Sequence, residues 1–93
     1  CYRMTFEQYW ITQVEPNWDQ AFFAALDRLI EAYQAGHFDA KEKARKGWEE
    51  HGGKIRDWGW LECGEAAYEE CQDLLVYEAT GLHNWNNPER RNP

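Results

Sequence analysis

The 93-residue sequence lacks several features that define common protein classes. It has no apolar run close to the 18 residues that a membrane-spanning helix needs, so we expect no membrane association. It also has no C-x-x-C zinc or redox pair, no glycine-rich phosphate loop and no nucleophile elbow. Its net charge is −7. Direct nucleic-acid binding is therefore not expected, because such proteins carry a basic surface.

Cysteine is scarce, and its count of three is odd. Cys63 and Cys71 are eight residues apart, which on one helix is about 12 Å. That distance is too long for a disulfide bond. We therefore predict reduced thiols and a cytoplasmic protein, since disulfides are rare in reducing compartments.

Positive charge is missing from one long stretch, residues 61–82, which holds six carboxylates and no Lys, Arg or His. Its periodicity predicts an amphipathic helix with carboxylates along one stripe. The stripe consists of Glu62, Glu65, Glu69 and Asp73, with Glu70 beside it. Like charges at this spacing cost about 0.2–0.5 kcal/mol per pair. We therefore expect a cation nearby, which is a basic helix, a divalent metal or a basic partner protein.

Helical periodicity predicts an all-α fold in a single domain over residues 1–83, followed by a flexible tail over 84–93. The main helices are expected at about 17–35, 39–51 and 60–80. A chain this short buries only about 60–65 % of its unfolded surface. We therefore expect a small helical bundle that is completed by oligomerisation, most simply as a homo-oligomer.

Polar residues and glycines set the expected helix ends. Thr5 with Gln8 predicts a capping box for a short helix over 6–14, which Pro16 ends. The predicted N-caps of the next two helices are Asn17 and Asp39, the latter in a capping box with Glu42. The predicted stops are Gly36, His51-Gly52-Gly53 and Thr80-Gly81.

Two helix faces have expected packing partners. The helix over 17–35 carries an apolar stripe, which we expect to pack in the core. That stripe is Trp18, Phe22, Ala25, Leu26, Leu29 and Tyr33. The helix over 39–51 has a basic surface of Lys41, Lys43, Arg45 and Lys46. We expect the glycine turn after it to fold this surface back towards the acidic stripe.

Glu78 falls inside the apolar face of the last helix, near Cys71 and Leu82. A buried carboxylate needs a partner. Two alternatives remain open: a base on the helix over 39–51 or on a second subunit, or an exposed Glu78 on a frayed helix end.

Residues 46–79 contain an HG break, a tryptophan loop and a helix reading Glu69-Glu70-x-x-Asp73, which an apolar run and Tyr77 follow. In this order the segment resembles small MazG-like proteins, including those found in phages. The resemblance implies an all-α oligomeric bundle and nucleoside triphosphate pyrophosphohydrolase activity. It also implies bound Mg²⁺, or Mn²⁺ in its place, held by an E-E-x-x-E and an E-x-x-D motif.

The second of these motifs matches Glu70 and Asp73, with Glu69 adjoining. The resemblance implies that these three are the metal ligands and catalytic residues. Glu49 and Glu50 begin the first motif and are further candidate ligands, but Gly53 stands where its last Glu is expected.

Basic and aromatic residues interleave just before the acidic helix. Lys46, Lys54 and Arg56 are candidates to offset the charge of a triphosphate, and Trp58 or Trp60 to stack on a base. In the alternative interpretation, Ile55, Trp58 and Trp60 close the open end of the helical bundle.

Three functional hypotheses follow. The first is an Mg²⁺-dependent nucleoside triphosphate pyrophosphohydrolase-like protein. The second is a non-catalytic, phage-type binding or inhibitor protein whose acidic stripe docks on a basic partner surface. In the third, the stripe pairs with the basic surface of the helix over 39–51, and function lies elsewhere.

Overall fold

A computed structural model describes residues 3–87 and 89 of the chain. These residues form helices and turns without a strand, which confirms the predicted all-α fold with three main helices. The helices are α1 (Phe6–Tyr9), a π-helical turn (Trp10–Val14), a 3₁₀ turn (Glu15–Asn17), α2 (Trp18–Ala35), α3 (His37–His51), a second 3₁₀ turn (Lys54–Asp57) and α4 (Trp60–Trp85). None of the described helices has the length and apolar character required to cross a bilayer.

The N-terminal segment is helical from its predicted cap onwards. Thr5 and Gln8 form the capping box, in which the Gln8 N–H donates to Thr5 Oγ1 at 3.1 Å and the Thr5 N–H donates to Gln8 Oε1 at 3.0 Å. Pro16 does not end the helical segment, because it lies in the first turn of a 3₁₀ helix. A backbone N–H in the first turn has no acceptor within the helix, so its absence in proline costs no hydrogen bond. Asn17 holds the predicted N-cap position of α2, but its side chain makes no capping hydrogen bond, since its Nδ2 donates back to the Gln13 carbonyl at 2.9 Å.

Gly36 separates α2 from α3, as predicted. Its φ of 93° ends α2, and its N–H donates to the Tyr33 carbonyl at 3.1 Å. Helix α3 begins directly afterwards at His37, two residues before the predicted cap Asp39. The expected capping box of Asp39 and Glu42 is therefore wrong, because both residues already lie within the helix.

Helix α4 is longer than predicted. It runs through Thr80-Gly81 to Trp85, so the predicted stop is wrong. Tertiary packing explains the difference, since α2 and the N-terminal segment both pack on this half of α4. The Tyr9 hydroxyl bonds Thr80 Oγ1 at 2.7 Å within that contact. Of the predicted tail, residues 88 and 90–93 lie outside the described residues.

The buried core is small and is built largely of alanine. Val14, Ala21 and Ala79 have no exposed surface, and Ala25 is 8 % exposed. The partly buried hydrophobic residues around this cluster are Tyr9, Trp10, Val76 and Leu82. Because the distance between packed helices depends on the side chains at the contact, these small residues favour a close approach of α2 to α4.

The expectation that the apolar stripe of α2 packs in the core is confirmed for Ala25 but is wrong for the larger residues of the stripe. Phe22, Leu29 and Tyr33 are 50, 63 and 77 % exposed. The buried side of α2 is instead that of Ala21 and Ala25. The stripe lies about 100° further round the helix from Ala21. Its large side chains therefore lie beside the contact with α4 rather than in it, and Trp18 and Phe22 line a groove together with Leu75 of α4.

Glu78 does have a basic partner, but on a different helix from the one expected. Its side chain is 15 % exposed, and its Oε1 accepts from Nε of Arg28 at 3.1 Å. Arg28 lies on α2, and its NH1 also donates to Glu31 at 3.1 Å. The pKa of Arg28 is raised above its already high ordinary value, first by the hydrogen bond that Arg28 donates to Glu78. The negative charges of Glu78 and of Glu31 raise it further. Arg28 therefore stays charged, and the pair fixes α2 against α4.

We predict that the bond between Tyr9 and Thr80 stabilises the docking of the N-terminal segment. Tyr9→Phe and Thr80→Val should each lower the free energy of unfolding by about 1 kcal/mol. Each removes one of the two hydroxyls and leaves the other, which is partly buried, without its hydrogen-bond partner. The double variant should lose less than the sum of both, as measured by chemical denaturation. Tyr77→Phe, at an exposed tyrosine of α4, is the control and should change little. Strictly additive losses would contradict the contact.

Candidate functional site

The acidic face of α4 is exposed along its N-terminal half. At its start, Glu62 Oε1 accepts from the Gly59 N–H at 3.2 Å, so this carboxylate caps the helix. Glu69, Glu70 and Asp73 are exposed, and no ion pair joins them to a base among residues 3–87 and 89. The repulsion between these carboxylates is therefore not offset within the described subunit.

The basic surface of α3 does not reach this face. Helix α3 contacts the end of α2 and the 3₁₀ turn that follows it. Arg45 pairs with Glu42 on its own helix at 3.3 Å, and the described part of the chain gives Lys41, Lys43 and Lys46 no ion pair. The expectation that the glycine turn folds α3 back onto the acidic stripe is therefore wrong for the single subunit.

Lys54 and Trp58 lie together in a groove of about 470 Å³ at the junction of α3 and the second 3₁₀ turn. The other lining residues are Ala44, Gly47, Trp48, His51, Gly53 and Ile55. This groove brings a cation and two indole rings to one apolar surface. Trp48 and His51 were not among the predicted site residues. Their spacing of three on the last turn of α3 places them on one helix face.

The other predicted substrate residues lie elsewhere. Lys46 lines a second groove, on the side of α3 that carries Glu50. Trp60 lines a third, beside Glu69 on α4. Arg56 lines none of these three grooves and contacts Asp57 at 3.4 Å. The predicted substrate residues therefore lie in three separate grooves, with Arg56 in none of them, and do not form one site.

The alternative in which Ile55, Trp58 and Trp60 close the bundle is also wrong for the subunit. All three are exposed, and Trp60 reaches 83 %. The loop therefore leaves its aromatic rings available to a ligand or to another chain.

Gly53, at the last position of the incomplete first motif, is fixed by its surroundings. Its φ is 74°, in the left-handed region that other residues rarely adopt. A Cβ here would lie 2.7 Å from Cζ2 of Trp48. A glutamate at this position would therefore need both a strained backbone and a displaced Trp48 ring. Glu49 and Glu50 remain on the exposed last turns of α3 without the third carboxylate.

One subunit does not contain a complete metal site. In the described ranges 3–87 and 89, no three His, Cys, Asp or Glu side chains come together as a group that could hold a metal ion. Glu69, Glu70 and Asp73, the predicted ligands, lie on one exposed helix face only. The thiols of Cys63 and Cys71, both on α4, are exposed and unbridged. A Mg²⁺ site would need carboxylates from another chain.

Comparison with protein-family models, with curated proteins and with solved structures found no match. The resemblance to MazG-like proteins therefore stays a prediction that rests on the motif order in residues 46–79.

We predict that Gly53→Ala destabilises the fold more than Gly52→Ala. Gly52 has a similar φ of 70° but has no atom within 4 Å of an added Cβ. Gly52→Ala should cost about 1 kcal/mol for the left-handed backbone alone. Gly53→Ala should cost about 2–4 kcal/mol, because it must also displace the Trp48 ring. The measurement is the free energy of unfolding in urea, and equal losses would show that the ring does not pack on the turn.

Proposed function

We propose that the chain is a subunit of an oligomeric, Mg²⁺-dependent nucleoside triphosphate pyrophosphohydrolase-like protein, in which α4 supplies metal ligands. The observation that supports this most is the exposed, unpaired set of Glu69, Glu70 and Asp73. Mg²⁺, or Mn²⁺ in its place, takes oxygen ligands from a few carboxylates together with substrate phosphates. These residues also match the E-x-x-D motif through which the chain resembles MazG-like proteins.

The proposal requires an assembly. A single subunit holds only one side of the ligand set, and Gly53 excludes the missing glutamate of the first motif. Any facing carboxylates must therefore come from a second copy. Glu49 and Glu50, on the last turns of α3, are the nearest candidates in sequence to that motif.

The groove of Lys54 and Trp58 is the proposed nucleotide-binding surface. An indole ring can stack on any base, so binding here would tolerate different bases. The Lys54 ammonium would attract the phosphates, and it has no ion pair in the described part of the chain. Lys46, Arg56 and Trp60 lie outside this groove, and they take part only if the assembly brings them to it.

The second candidate function is a non-catalytic binding or inhibitor protein whose acidic stripe docks on a basic partner surface. It is favoured by the absence, in the described residues, of any three-ligand group that could hold a metal. Opposite charge across such an interface would speed association and select the partner. The free thiols of Cys63 and Cys71 fit the reducing, cytoplasmic location that we propose for either function.

We predict that Mg²⁺ raises the melting temperature, and that it does so further with a nucleoside triphosphate present. Ligand at 100 times its Kd should add about 2.7 kcal/mol to native-state stability. Glu70→Gln should abolish the shift, because it removes one ligand charge while keeping the side-chain volume. Glu65→Gln is the matched control one turn earlier on α4 and should keep the shift. Asp73→Ala should abolish pyrophosphate release while the circular dichroism spectrum stays helical.

Two results would contradict the enzyme proposal: full turnover by Asp73→Ala, or no metal-dependent shift and no turnover of any nucleoside triphosphate. In the second case, binding of an arginine-rich helical peptide distinguishes the alternative. The binding function predicts an affinity that falls steeply with salt and that is lost when Glu65, Glu69 and Glu70 are changed to Gln. A chain that binds neither metal nor peptide would contradict both functions.

A further inference from the structure

The subunit exposes far more surface than its size requires. Its solvent-accessible surface is 8298 Å². A compact monomer of 11.1 kDa exposes about 5700 Å². Its radius of gyration is 16.5 Å, against about 12 Å for a compact domain of this length. About 2600 Å² of surface is therefore available for burial beyond that of an ordinary monomer.

Much of the exposed apolar surface is on one helix, on a surface that we call the apolar face of α2. Its members are Trp18, Phe22, Phe23, Leu26, Leu29, Ile30 and Tyr33, and each is exposed. They span about 140° of the helix circumference, and Asp19 is the one charged residue within that arc. A continuous apolar patch of this extent marks an interaction site.

We infer that a second copy of this chain covers the apolar face of α2. Obligate homodimers bury about 2000–5000 Å² in total, or about 1000–2500 Å² per subunit. The surplus surface of this subunit is as large as the upper end of that range. Such interfaces are also apolar, like a domain core divided in two. The inference deepens the proposed function, which already requires a second copy, by naming the face through which the copies meet, and it holds whether or not a nucleotide is hydrolysed.

Helix spacing favours a copy of the same chain as the occupant. Phe22, Leu26, Leu29 and Tyr33 follow one another at spacings of four, three and four residues. This pattern is typical of the a and d positions of helices that pair side by side. In a twofold dimer the same patch meets itself, so a single self-complementary stripe is sufficient.

Charge complementarity favours the same occupant. In the described residues, Lys41, Lys43 and Lys46 on α3 have no acidic partner, and Glu69, Glu70 and Asp73 on α4 have no basic one. Each copy therefore carries unpaired lysines on α3 and unpaired carboxylates on α4. The lysines of one copy can pair with the carboxylates of the other. A lipid surface fits less well, because membranes are anionic and the chain has a net charge of −7.

The first test uses the unmodified protein. Sedimentation equilibrium should give twice the subunit mass of 11.1 kDa at micromolar concentrations. The melting temperature should rise with protein concentration, because association stabilises the folded chain. A single-subunit mass and a concentration-independent melting temperature would overturn the inference, whatever happens with nucleotides or metal.

The second test places a charge in the interface. Leu29→Glu, in the middle of the apolar face, should shift the midpoint of dissociation at least 100-fold towards higher protein concentration. Gln34→Glu adds the same charge to exposed α2 surface outside the face and should leave that midpoint within about threefold of the unmodified protein. Equal behaviour of the two variants would overturn the placement of the interface. If Leu29→Glu does not fold, the sedimentation and melting measurements on the unmodified protein still test the inference.

Discussion

The contact between α2 and α4 is the constraint on which the buried core of this protein depends. It is made by alanines, with Ala21 and Ala79 fully buried and Ala25 nearly so. Small residues let the helix backbones approach closely, but they leave no interior space for aromatic rings. Val14, from the N-terminal segment, is the largest fully buried side chain in the described residues. The salt bridge between Arg28 and Glu78 fixes the same pair of helices at its edge.

Most of the large apolar side chains and the charged surfaces of the described residues lie outside this contact and are exposed. The apolar face of α2, the acidic stripe of α4 and the basic surface of α3 are exposed, and they do not neutralise or cover one another. An exposed apolar patch and unneutralised like charges are each unfavourable in water, and both proposals assign a partner to such a surface. The proposed nucleotide function and the proposed dimer rest on this common observation. A single-subunit mass would contradict both, whereas the lack of a metal-dependent shift and of turnover would contradict the nucleotide function alone.

Sequence periodicity was sufficient to predict the helical class, because α2, α3 and α4 each carry a clear apolar stripe or a clear glycine stop. The Thr5–Gln8 capping box and the breaks at Gly36 and Gly52 were predictable for the same reason, since each rests on local backbone chemistry. The Thr80-Gly81 pair was a misleading stop signal, because packing against α2 and the N-terminal segment continues α4 past it. Local signals reach only a few residues along the chain, whereas these contacts join positions such as Arg28 and Glu78, 50 residues apart, and Tyr9 and Thr80, 71 residues apart.

The site was less predictable than the fold, and for a related reason. The stripe of Trp18, Phe22 and Leu29 predicts a buried surface, but a single sequence does not say whether the covering surface belongs to the same copy, and within one chain these residues are exposed. The carboxylates of α4 predict a cation without giving its identity. At Gly53 the sequence shows only that the expected glutamate of the first motif is missing. The structure gives a reason for this, because the Trp48 ring occupies the space that a side chain at Gly53 would need.

The central claim is that a second copy covers the apolar face of α2. It is tested most directly by isotope-filtered NMR on an equal mixture of carbon-13-labelled and unlabelled protein. The account predicts intermolecular contacts between the methyl groups of Leu26 and Leu29 in one copy and the aromatic rings of Phe22 and Tyr33 in the other. A mixture that shows intramolecular contacts alone, at concentrations where the protein is folded, would contradict it.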